Sequence, residues 1–68
     1  MTVRELMKVV AYDDVCLYHE VVPKEIEEVR FEDLYKGSNR QIPEELMGAP
    51  VKVVSAKKKD LLDIQIEI

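Results

Sequence analysis

The sequence predicts an α+β domain: an N-terminal amphipathic helix packed on a mainly antiparallel sheet of about four strands, with a short helical turn at 43–47 and a C-terminal β-hairpin. Three stretches carry this reading. Leu62-Asp63-Ile64-Gln65-Ile66-Glu67-Ile68 alternates apolar with acidic or amide residues, as a half-buried strand does. The preceding Val51-Lys52-Val53-Val54-Ser55-Ala56 is a second apolar run, separated from the first by the polar Lys57-Lys58-Lys59-Asp60, so the pair reads as a hairpin. Val3, Leu6, Met7 and Val10 follow the i, i+3, i+4, i+7 spacing of a helix with one apolar stripe.

Taken in order, Thr2-Val3-Arg4-Glu5 matches a capping box, in which the Thr side chain accepts from the backbone N–H three residues on while the Glu reaches back. The helix is expected to start there and to end near Ala11 or Tyr12, because Asp13-Asp14 favour turns over helix interiors. Val15 to Glu20 is rich in strand formers, with Val15, Leu17 and His19 on one face and Cys16, Tyr18 and Glu20 on the other. Pro23 lacks a backbone donor, which makes 21–25 an edge or a turn. Ile26 to Tyr35 alternates well enough for a second strand, although 25–29 would also suit a short helix; Val29, Phe31 and Tyr35 favour the strand. Gly37-Ser38-Asn39 is a turn cluster. Pro43 at the first helical position, Glu44-Glu45 in the first turn and Gly48 as a left-handed stop mark the short helical turn.

Sixty-eight residues make a single domain, 1–68, that buries only about 60% of the surface of its unfolded chain, so no deep pocket is expected. No apolar run approaches the roughly 18 residues of a membrane span, and no basic-then-apolar leader precedes the helix, so a cytoplasmic protein is the expectation. Fourteen acids against ten bases give a net charge of −4, which disfavours generic contact with a nucleic-acid backbone. The one cysteine excludes an intrachain disulfide, and thin cores without staples often rely on self-association, so a homo-oligomer is expected.

The residues offer little chemistry. Cys16 and His19 are the only soft ligands and point to opposite faces of a strand, so no metal site, no cofactor and no nucleophile–base pair is expected. The glycines Gly37 and Gly48 are isolated, which excludes a phosphate loop of familiar type. The acids read as solvated faces, with Glu27-Glu28 and Glu32-Asp33 at most a patch for a basic partner, and Lys57-Lys58-Lys59 as a solubility device beside the strands. What remains is a binding surface. Tyr18, Arg30, Tyr35 and Arg40 belong to the residue types that carry interface hot spots, and Leu61 is an apolar residue on a sheet face with nothing assigned to cover it. Val54, Ala56, Cys16 and Tyr18 share that outward face in some registers.

At Thr2-Val3-Arg4-Glu5-Leu6, Tyr35-Lys36-Gly37, Ile42-Pro43-Glu44-Glu45-Leu46 and Ile64-Gln65-Ile66-Glu67-Ile68 the chain resembles small uncharacterised accessory proteins of bacteriophages and prophages. The resemblance implies a non-enzymatic module that binds, and inhibits or sequesters, a host component such as a defence protein. The alternative is a sponge for a small ligand or nucleotide at an oligomer interface, held by tyrosine stacking and by Arg40 or the 57–59 lysines.

Overall fold

The computed structural model describes residues 1–22 and 28–68, leaving aside the side chain at position 57. The elements run α1 (Val3–Met7), β1 (Asp14–Val21), β2 (Arg30–Ser38), α2 (Glu44–Met47), β3 (Val51–Lys58) and β4 (Leu61–Ile66). The expected edge or turn at Pro23 and the first residues of the strand expected from Ile26 lie outside the described residues.

The four strands form one sheet in the order β2-β1-β4-β3. β1 pairs antiparallel with β2, β3 pairs antiparallel with β4, and β1 and β4 lie side by side in parallel, with Val15 opposite Leu62 and Leu17 opposite Ile64. The sheet is therefore mixed, not mainly antiparallel. The physical reason lies in the distribution of apolar side chains: β1 and β4 carry the alternation that demands burial, and placing them together in the middle gives each two neighbours. The more polar β2 and β3 take the edges.

One face of this sheet is the core. Val15, Leu17, Leu62, Ile64 and Ile66 are buried beneath Val3 and Leu6 of α1 and Ala49, with Met7, Ile42, Leu46 and Met47 packed around them. At about 25 cal/mol per Å² of apolar surface removed from water, such side chains supply most of the favourable free energy. Backbone bonds hold the cover in place: the Val3 N–H donates to the Ala49 carbonyl at 3.0 Å and the Val51 N–H to the Met1 carbonyl at 2.8 Å. An exposed Arg4–Glu44 ion pair joins the two helices. At such exposure it adds little stability.

Several expectations need correction. There is no long N-terminal amphipathic helix. α1 has its capping box, with the Glu5 N–H on the Thr2 hydroxyl at 3.3 Å and the Thr2 N–H on the Glu5 carboxylate at 3.0 Å, but it ends at Met7. It closes on i→i−3 bonds from Lys8 to Glu5 and from Val9 to Leu6. The β-branched pair Val9-Val10 propagates a helix poorly, and Leu46 and Met47 of α2, with Ile42 and Ala49 beside it, supply further cover for the core. Gly48 does not supply a left-handed stop, since its φ is −88°. Gly37 and Ser38 belong to β2, and the turn falls at Asn39-Arg40. Val54 and Ala56 pair with Ile64 and Leu62 and so lie on the core face, not the outward one. Ile68, the last apolar residue of the alternating stretch, lies beyond the end of β4 and is exposed.

Candidate functional site

The site is the face of the sheet opposite the helices. Because β1 alternates, Cys16 and Tyr18 point away from Val15 and Leu17, and register carries this across the sheet. Leu61, Asp63 and Gln65 of β4 lie on the same side, opposite Asp14, Cys16 and Tyr18. On β2 the corresponding residues are Lys36, Asp33 and Phe31, opposite Cys16, Tyr18 and Glu20. On β3, Val53 and Ser55 complete the face through Gln65 and Asp63.

A β-bulge shapes this face. Leu17 pairs with Tyr35 but Tyr18 pairs with Asp33, so Leu34 is the extra residue. Both Leu34 and Tyr35 pack against the core. Beyond the bulge the alternation of β2 is inverted, which brings Phe31 and Asp33 to the outer side. Phe31 then meets Tyr18 in an edge-to-face contact, with ring centroids 5.6 Å apart and planes at 84°.

Between these residues runs an open groove of about 410 Å³, lined by the aromatic pair with Cys16, Asp33, Asp63 and Leu61 and bordered by Lys36 and Lys58. Asp63 and Gln65 are buried on this face. The Cys16 thiol is also buried and lies 3.7 Å from an Asp33 carboxylate oxygen. Burial first, then the negative charges of Asp33 and Asp63, push its pKa above the ordinary thiol value, while Lys36 acts weakly the other way. A thiol kept protonated is a poor nucleophile. His19 lies on the other face of β1, its Nε2 buried without a hydrogen-bond partner among the described residues and 4.0 Å from Glu32. Among the described residues no set of three or more histidine, cysteine or acidic side chains could hold a metal ion.

A second groove of about 510 Å³ adjoins the first around Lys36, Lys58 and Leu61 and adds Lys59, Asp14, Asp60 and the bare backbone of Gly37. No ion pair involves Lys36, Lys58 or Lys59 among the described residues.

Of the residues singled out in the sequence, the structure brings together Tyr18 and Leu61, which line the same groove. The other three lie elsewhere. Tyr35 is on the core face opposite Leu17, with its hydroxyl donating to the Ser38 carbonyl at 2.6 Å. Arg30 begins β2 opposite Val21, exposed, and Arg40 is exposed in the turn after β2. Phe31 and Lys36 were not singled out, and Asp33 entered only as part of an acidic patch with Glu32, which pairs with His19 and lies on the other face. The signal that could have found Phe31 is its aromatic pairing with Tyr18 across adjacent strands, but the bulge that permits it leaves no mark in the local sequence.

No helix among the described residues is long and apolar enough to cross a membrane. No protein-family model, no curated protein and no solved structure matches the chain.

Proposed function

We propose that this chain is a non-enzymatic binding module that docks a protein on the outer face of its sheet and, in the phage setting its sequence resemblance implies, inhibits or sequesters a host component. One observation carries the reading. The face left uncovered by the helices presents an aromatic pair, Phe31 being 61% exposed, beside a groove of about 410 Å³. Aromatic residues next to directed polar groups are the composition of interface hot spots. A standard interface takes roughly 800 Å² from each partner, about one sixth of the 5017 Å² this chain exposes.

The edges are poorer docking surfaces. β3 carries Lys52 and Lys58 and shifts register near both ends, features that discourage strand addition. A small anionic ligand, such as a nucleotide, is the second reading, favoured by the three lysines of the adjoining groove and offset by Asp14 and Asp60 beside them.

The test is capture from a host lysate by the wild type and by a Tyr18→Ala, Phe31→Ala variant, with an Arg30→Ala, Arg40→Ala variant as control. The reading expects a partner retained by wild type and control and lost by the aromatic variant at unchanged thermal stability. Equal capture by all three, or no capture, removes it. Stabilisation by a nucleotide in a thermal-shift assay would favour the second reading instead.

A further inference from the structure

Resting on the outer-face reading, we infer that the partner inserts a basic side chain, an arginine or a lysine, between the Tyr18–Phe31 rings and the Asp33 carboxylate. The juxtaposition is built by the bulge. Tyr18 is the cross-strand neighbour of Asp33, and Phe31, one alternation further along β2, leans on Tyr18 at 5.6 Å. The result is two aromatic rings and a carboxylate around one opening, with a second carboxylate, Asp63, on the floor. A guanidinium or ammonium within about 6 Å of a ring centroid is attracted by the ring's electron-rich face, and a carboxylate beside it accepts its N–H groups.

The sign of the groove decides between cation and anion. Counted as formal charges, its lining is balanced, Asp33 and Asp63 against Lys36 and Lys58. The balance is not uniform in space. Asp63 is buried at the floor beside the buried Cys16, whereas Lys36 and Lys58 are exposed, so the deeper charge of the lining is a carboxylate. Lysine ammonium groups ride on long stems toward solvent and belong to the rim. An incoming cation therefore meets its complement at depth and an anion does not. The net charge of −4 acts in the same direction at long range, raising the encounter rate with a basic surface at low salt.

Titration of ¹⁵N-labelled protein with N-acetyl-arginine amide tests this, with the uncharged isostere N-acetyl-citrulline amide and with adenosine monophosphate as comparison probes. Saturable shifts are expected at the Cys16, Tyr18, Phe31 and Asp33 amides with the arginine probe. Binding is expected to be at least tenfold weaker with the citrulline probe, and at least tenfold weaker in an Asp33→Asn variant, whose exposed substitution leaves the core untouched. Equal binding of the two amides, an unchanged Asp33→Asn variant, or tighter binding of the phosphate at Lys36, Lys58 and Lys59 would overturn it. Partner capture separates this failure from failure of the docking surface. If Asp33→Asn captures the partner normally while Tyr18→Ala, Phe31→Ala loses it, the surface stands and the basic side chain falls. If neither variant loses the partner, the surface itself is wrong.

Discussion

Gly37 is held by its neighbour as much as by its own backbone. Its φ is +156°, and a β-carbon placed there would come 3.1 Å from the Tyr35 hydroxyl oxygen, which is already engaged with the Ser38 carbonyl. Gly37→Ala is expected to lower stability by about 1–2 kcal/mol, read as a fall in the urea midpoint at unchanged slope. At the other end of the chain, the Glu5 carboxylate is held below its ordinary value of 4.5, first by the Thr2 backbone N–H and then by the Thr2 hydroxyl. A carboxylate whose folded-state pKa is depressed contributes stability above its unfolded value and loses it as pH falls through the folded one. Thr2→Ala should therefore destabilise at neutral pH, and the difference from wild type should shrink below about pH 4.5 in urea midpoints taken across the acid range. The two residues were not equally legible. Thr2 and Glu5 announce their roles by spacing alone, because a capping box is local. Gly37 reads as a turn residue until the tyrosine that crowds it is in place.

Among the elements, β4 is the one whose inner face cannot be changed cheaply. Ile64 is fully buried between Leu17 and Val54, whereas Val54, on the same face of β3, is 44% exposed. Ile64→Ala is expected to cost about 2–5 kcal/mol and Val54→Ala less than about 1, both measured by denaturant unfolding. For a chain of this length the total is of order 3–10 kcal/mol, so the first change removes a large share of the folded population and the second does not. The period-2 alternation of β4 and the mixed apolar face of β1 were visible in the sequence because burial on one side imposes them. The length of α1 was not, since Val10 does touch the core, only not from a helix. Nor was the inversion within β2. An unbroken strand would have put Phe31, Asp33 and Tyr35 on one face, and the extra Leu34 separates the first two from the third.

The whole molecule follows a rule that local patterns do not contain. The pairing of β3 with β4 could be read from their closeness along the chain, but which strand lies beside the other edge of β4 depends on where the chain crosses between residues 39 and 50. That crossing, with α2 and Ala49 on the core face, carries the chain from one edge of the sheet to the other and leaves β1 and β4 in contact. Asn39 anchors its start, with its backbone N–H on the Asp13 carbonyl at 2.9 Å and its side-chain amide on the Tyr12 carbonyl. The candidate site inherits this arrangement, because Leu61 and Asp63 reach Tyr18 only through the seam between β1 and β4.

That seam also sets the order of events in time. Residues facing each other across it are 47 positions apart in sequence, Asp14 with Leu61 and Val15 with Leu62. A hairpin such as β3–β4 closes in roughly 1–10 μs, but a seam of this separation must await a long loop closure whose entropy is spent before any burial repays it. During synthesis, β1 emerges long before the strand that buries it and waits with Val15 and Leu17 bare.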